Sequence, residues 1–346
     1  MSDTAPIRPE ERFDEARIAA YLRTAIPDLV GDGPLSFDQF PGGAANLTYR
    51  VTAGSTELVL RRAPLGEVAK GAHDMEREYR VLSHLWRQFP EAPRAYHYCS
   101  DPDLMGKPFF VMERRHGHVI RSEWPAAYAT NVGLRQAAAG NLVDGLARLH
   151  KVGPAEVGLE GLGRPDGFVD RQVAGWAGRW EAAATREVPA MEAAAAALRG
   201  TVPEPQATVI LHNDYKLDNT MLGDSGELVA VFDWDMATRG DPLVDLGTLL
   251  AYWADPSDPT FLIFGDIAVS PAADFPKSQV VERYAATTGF DVGRIDYYEG
   301  LALYRIAVII EQIYARYVAG QTTDARFARF EPLAPLLAEA ALEKLS

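Results

Sequence analysis

Leu211-His212-Asn213-Asp214-Tyr215-Lys216-Leu217-Asp218-Asn219, followed after a turn by Val231-Phe232-Asp233-Trp234-Asp235, is the stretch that decides the fold. Two apolar runs, Thr208 to Leu211 and Glu227 to Phe232, have the length and β-branched content of short strands. Gly223-Asp224-Ser225-Gly226 supplies turn chemistry before the second run. The expectation is a hairpin whose open end gathers Asp214, Asn219 and Asp233. A plainer reading has Asp214, Asp218 and Asn219 only building turns; Asp233, at the end of the second run, argues against it.

Such a trio suits phosphoryl transfer. One carboxylate, Asp214, receives or orients the proton of an acceptor hydroxyl, while the Asn219 amide oxygen and the Asp233 carboxylate are hard ligands for Mg²⁺. Four residues separate Asp214 from Asn219, the spacing of the Asp and Asn in a protein-kinase catalytic loop.

Composition narrows the classes. The chain has 346 residues and 47% apolar content, enough for one large domain or two with a sizeable core. Cys99 is the single cysteine, so no internal disulfide can form, and a reducing, cytoplasmic setting is expected. Residues Met1 to Glu15 lack a basic start and an apolar stretch of signal length. The most apolar segment, Leu301 to Ile313, is interrupted by Arg305 and Glu311, which reads as a buried helix rather than a membrane span. A net charge of −14 argues against nucleic-acid binding and makes a polyanionic ligand depend on a locally basic or metal-neutralised site. No pattern in the sequence bears on oligomeric state.

Upstream, a helix is expected over Asp14 to Ala25, then two strands joined by the small-residue turn Gly42-Gly43-Ala44-Ala45-Asn46. Gly42, Gly43 and Asn46 let backbone N–H groups approach a triphosphate, although the turn lacks the full G-x-G-x-x-G pattern. The strand Leu58-Val59-Leu60-Arg61-Arg62 places Arg61 where a kinase carries its phosphate-binding cation, and Glu78 on the next helix is its partner. Arg stands there in place of Lys, and its planar, permanently charged fork binds phosphate well. Pro108 to Glu113 reads as a strand leading to a hinge, with backbone groups of Met112, Glu113 and Arg114 receiving the base. The hinge divides the chain into a nucleotide-binding lobe, 1–114, and a catalytic and acceptor-binding lobe, 115–346.

Beyond the hinge, helices are expected over Gln136 to His150, Phe168 to Trp180, on to Leu198, and over Gln279 to Thr287, Asp296 to Tyr317 and Pro332 to Leu345. His150 reads as a packing or capping residue. Asp241 reads as a helix cap and Asp245 as a tie from the following helix to the loop at 212–219. Residues 254–277 read as a loop or lid.

His212-Asn213-Asp214 through Asn219 resembles the H-x-D-x-x-x-x-N loop of the aminoglycoside phosphotransferase-like family, and Asp233-Trp234-Asp235 resembles its D-x-D motif. Gly43 to Tyr49, Val59 to Arg62, Arg171 to Val173 and Gly240 to Gly247 are similar to the subgroup related to kinase-like domains fused to some acyl-CoA dehydrogenases. Arg61 departs from the antibiotic kinases and agrees with this subgroup. Asn213, where Gly is commoner, is a departure expected to matter little for proton chemistry. The resemblance implies an α+β, two-lobed protein-kinase-like fold using ATP and Mg²⁺ to phosphorylate a small-molecule hydroxyl. Three acceptor readings stay open: a hydroxyacyl-type molecule, an aminoglycoside, or none, in a nucleotide-binding pseudokinase-like regulator. Arg164, Arg171 and Arg179 lean toward the first, because a CoA thioester needs a basic patch.

Overall fold

The computed structural model describes residues 3–41, 46–65, 74–255, 269–322 and 324–346. The chain divides into two compact units. The first holds residues 1–116 and takes back 157–159 and 229–237; the second holds 117–156, 160–228 and 238–346.

In the first unit, β1 (Leu35–Gln39), β2 (Leu47–Ala53), β3 (Thr56–Arg62), β4 (Ala95–Cys99) and β5 (Phe109–Glu113) form an antiparallel sheet in the order β1-β2-β3-β5-β4. Strict alternation of burial along β2 gives the sheet two chemically different faces. Tyr49, Val51, Leu60, Phe109 and Val111 pack with Ile18 and Leu22 of the helix Glu15–Ala25, whose start is capped by Asp14. The odd charge on that side, Arg62, is buried and donates to Tyr49 Oη and to the carbonyls of Met105 and Glu11. Arg61, one residue earlier, alternates to the other face, paired in register with Thr48 and Phe110. The helix Met75–Leu85 buries Glu78, Val81, Leu82 and Leu85, an i, i+3, i+4, i+7 stripe with one carboxylate in it.

The second unit is mostly helical. Its longest helix, Ile295–Val318, packs against Leu243–Tyr252 and Leu333–Leu345. The approach at Gly247 is so close that a Cβ there would meet the backbone of Tyr298 at 2.5 Å. Further helices among the described residues are the short Ala126–Ala129 and the longer Val132–Lys151, Phe168–Ala183, Pro189–Gly200 and Lys277–Thr288. Where the periodicity sets bounds, the helices begin and end within a few residues of them; the break between Phe168–Ala183 and Pro189–Gly200 is not marked by it. Among the described residues no helix is long and apolar enough to cross a membrane. Of the segment read as a loop or lid, 256–268 lies outside the described residues.

The strand pairing departs from expectation. β6 (Val209–Leu211) pairs antiparallel with β9 (Thr238–Gly240), so the runs 208–211 and 227–232 are not hairpin partners. A further strand, β7 (Thr220–Leu222), enters the turn at Gly223–Gly226, and β8 (Leu228–Val231) leaves it. Leu222 exchanges both backbone hydrogen bonds with His118, at 2.7 and 2.9 Å.

Candidate active site

The first unit supplies a compact set of charges. Arg61 Nε lies 3.1 Å from Glu78 Oε2, and its Nη2 donates to Asp233 Oδ1. Arg61 is 8% exposed and Glu78 only 1%, so the guanidinium is clamped between a buried and a partly exposed carboxylate. Burial pushes the Glu78 carboxyl up to about 8; Arg61 opposes this, while the charges of Asp233 and Asp235 add to it. Asp233 itself is held in the left-handed region at φ 67, an uncommon conformation for a residue with a side chain. Its neighbour Trp234 fixes it there. The indole is fully buried, donates to the Val231 carbonyl at 2.8 Å and meets Phe89 edge to face.

The same unit holds the expected base-binding strand. Met112 is buried and registered against Val59 on β3. The Glu113 N–H donates to the Arg94 carbonyl at 2.8 Å, and its carboxylate pairs with Arg115. Arg114 pairs with Asp3 and Glu57 and faces the Phe40 ring. Gly42 and Gly43 lie outside the described residues; Asn46, at the start of β2, is buried.

In the second unit β6 delivers the loop that begins at His212. Asp245, fully buried in the helix Leu243–Tyr252, accepts the backbone N–H groups of His212 and Asn213, each at 2.7 Å. This is the tie expected from the sequence, and His150 extends it. That side chain bonds Asp245 at 3.2 Å and the Tyr284 hydroxyl at 2.6 Å. Asp241 likewise acts as a cap, accepting the Leu243 N–H at 2.8 Å. Tyr215, buried, anchors the loop from the other side through the Leu142 carbonyl at 2.8 Å.

Asp214 is brought directly onto Asn219. The Asn219 amide nitrogen donates to both the backbone and the side-chain oxygen of Asp214, at 2.9 Å each, which turns the amide oxygen away from that carboxylate. Lys216 was not singled out by the sequence, yet its Nζ lies 2.6 Å from Asp214 Oδ2 and 4.9 Å from the Tyr252 ring centroid. Burial pushes the Asp214 carboxyl up, but the charges of Lys216 and then Arg305 overcome it and hold the group below the usual aspartate range. Lys216 in turn is held above its ordinary value, because its desolvation is outweighed by Asp214 and its neighbours.

Asn213 has a backbone conformation that its place in the motif does not announce. It sits at φ 65 and, with Asp233, is one of two non-glycine residues with positive φ among the described residues. Its side-chain oxygen accepts from Arg305 Nη1 at 3.2 Å. The signal for Arg305 was in the sequence as a charge inside an apolar helix, since a buried cation must find a polar partner.

Beside the loop lies a cavity of about 280 Å³, lined by Lys216, Leu217, Asp218, Leu249, Tyr252 and Trp253, with Arg121 and Ile120 on its other side. The basic residues Arg164, Arg171 and Arg179 are all exposed. Arg171 is occupied by the carbonyls of Asp166 and Arg164, and Arg179 is exposed and stacks on Trp176 at 4.2 Å.

Comparison with known proteins gives the family and the fold. The model of the phosphotransferase enzyme family matches residues 36–276. The chain belongs to that family. Acyl-CoA dehydrogenase family member 11 of Gallus gallus is 29% identical over 349 residues, covering 98% of this chain and 44% of that protein. The chain thus spans less than half of that relative's length. A solved structure of a proposed aminoglycoside phosphotransferase from Ralstonia eutropha superposes with a TM-score of 0.79 and 28% identity, covering 96% of this chain and 99% of that one. The aminoglycoside phosphotransferase APH(4)-Ia, solved with ADP and hygromycin B, gives a TM-score of 0.59 at 16% identity, covering 94% and 98%. The fold is therefore the α+β, two-lobed kinase-like one, and the family is that of small-molecule kinases with hydroxyl acceptors.

Proposed function

We propose that this chain uses ATP to phosphorylate a hydroxyl group on a small hydroxyacyl-type molecule. Asp214 Oδ2 is already held by Lys216 and Asn219, so the carboxylate is a fixed, ionised acceptor for the proton of an alcohol. Arg61, steadied by Glu78, is the anchor for the phosphates. Asn219 in the second unit and Asp233 in the first each offer a hard oxygen donor of the kind that would hold magnesium, and the Asn219 amide keeps its oxygen turned away from Asp214. When bound, the ion would neutralise charge on the phosphates. Base catalysis by Asp214 contributes about 10²- to 10⁴-fold, and positioning supplies most of the remainder.

The cavity beside the loop carries the choice of acceptor. Leu217, Leu249 and Trp253 give it an apolar wall, and among the described residues its charged lining is two cations, Arg121 and Lys216, the latter paired with Asp214, against one carboxylate, Asp218. A polycationic antibiotic wants the opposite balance. An acyl chain with a nearby hydroxyl or carbonyl suits this lining, and the similarity to an acyl-CoA dehydrogenase family member supports the same class. The test is a mass-shift assay for phosphate on hydroxyacyl-CoAs, free hydroxy acids, aminoglycosides and amino alcohols. Phosphate on the hydroxyacyl compounds is expected. Phosphate on aminoglycosides alone would overturn the acceptor assignment, and nucleotide binding without transfer to any acceptor would favour a regulatory module.

A further inference from the structure

Asn213 poses a physical problem that the loop has to solve. A residue with a Cβ in the left-handed region costs roughly 1 kcal/mol or more, and Asn, though among the most tolerant side chains, still carries part of that cost. The conformation is held from two sides. The Asn213 N–H is taken by Asp245 Oδ1 at 2.7 Å, and its side-chain oxygen accepts from Arg305 Nη1 at 3.2 Å. Asn213 is 6% exposed and Arg305 7%, so the second contact is a charge-assisted bond shielded from water. Arg305 comes from the middle of Ile295–Val318, and the Trp176 ring lies 5.5 Å from its guanidinium carbon. The next residue along the chain is Asp214.

We propose that Arg305 is a positioning residue for phosphoryl transfer: by gripping the Asn213 side chain it locks the left-handed turn and so fixes where the Asp214 carboxylate stands. The proposal rests on the kinase reading above and adds to it a residue some 90 positions downstream, on another helix. It gives a role to the buried arginine that interrupts the apolar run of this helix. It also predicts a specific dependence, because glycine reaches the left-handed region without any grip. The clamp is needed only because residue 213 has a side chain.

The test uses Arg305→Met, Asn213→Gly and the double variant in the full chain, with the hydroxyacyl acceptor and ATP. Arg305→Met is expected to lower kcat by about 10- to 100-fold while leaving KM for ATP within about twofold, since a displacement near 1 Å costs on that order. Added to Arg305→Met, Asn213→Gly recovers most of the loss, because it removes the side chain whose left-handed conformation needed the grip. Lost packing against Trp176 would not be rescued from residue 213. Should Arg305→Met fold poorly, Arg305→Lys keeps the charge and one donor, and the same rescue is read in that background. Amide hydrogen exchange at residues 212–214 gives a readout that needs no substrate: faster in Arg305→Met, restored by Asn213→Gly. An unchanged kcat in Arg305→Met, or a loss that Asn213→Gly does not relieve, overturns the proposal. If no acceptor is phosphorylated by the wild type while the exchange pattern appears, the kinase reading fails and the clamp stands.

Discussion

Two residues, Asn213 and Asp233, adopt the same uncommon backbone conformation, yet they are held in opposite ways. Around Asp233 the first unit uses side-chain charge: Arg61 bonds it, Glu78 holds Arg61, and a buried indole fixes the following residue. Around Asn213 the second unit fixes the backbone itself, with Asp245 taking two consecutive amides and Arg305 the side chain. A charge cluster responds to protonation and to the arrival of phosphate. A loop fastened by its amides does neither, which suits a residue that must stand still while a proton moves.

The sharpest way to break the comparison is Asp214→Ala. A fall in kcat of about 10²- to 10⁴-fold is expected, with ATP affinity by equilibrium binding nearly unchanged, because Arg61, the proposed phosphate anchor, belongs to the other set. Retained turnover would remove Asp214 from its role. Arg61→Met should do the reverse. ATP binding weakens first, and at pH 9, where Glu78 is ionised, the fold loses about 3–5 kcal/mol, since two carboxylates then lose their cation where one is buried. Denaturant unfolding reads this loss, which should be smaller at pH 6 than at pH 9 because Glu78 can take up a proton.

The wild-type protein carries the same signature more weakly. Glu78 ionises at about 8 when folded and at an ordinary carboxylate value near 4.5 when unfolded. Between those values the folded state holds a proton that the unfolded state has released, so stability falls as pH rises through that window. Glu78→Gln should flatten the slope in unfolding experiments from pH 5 to 9, and an unchanged slope would mean that Glu78 is not its source. Asp214, held low, contributes stability that is lost only as pH falls through its folded value, so its loop should be indifferent to pH near neutrality. The smallest effect is expected from Tyr284→Phe. It removes one bond from the chain Tyr284, His150, Asp245 and should cost about 0.5–1.5 kcal/mol with kcat barely altered. A large loss of kcat would mean that the loop is fastened less firmly than its amide bonds suggest.

Helices were legible because a 3.6-residue period survives over many turns, as in Met75–Leu85, where even Glu78 announced itself as a carboxylate on the strand-facing stripe. The pairing of short strands was not. β6 finds its partner in Thr238-Arg239-Gly240, a segment with no apolar run to mark it, while the more conspicuous run at 227–232 pointed to a hairpin that does not form. Asp214 and Asn219 were legible because the chain itself brings them together across one short turn. Asp245 was legible in part, as an acid at the start of a helix. Lys216 was hidden in plain view between catalytic-type residues, and Arg305 was noticed only as a charge that forbids a membrane span. Spacing reveals partners that are near in sequence; a grip from some 90 residues away is visible only as an unexplained charge.

The division of the chain has a consequence for its synthesis. The first unit is begun by residues 1–116, but the segment 229–237, which bears Asp233 and Trp234, emerges from the ribosome more than a hundred residues later. Until then the nascent sheet must present Arg61 and Glu78 without the carboxylate and indole that complete their surroundings. The first unit therefore cannot mature in the order in which its residues are translated, and half of the second unit is made before the first is finished.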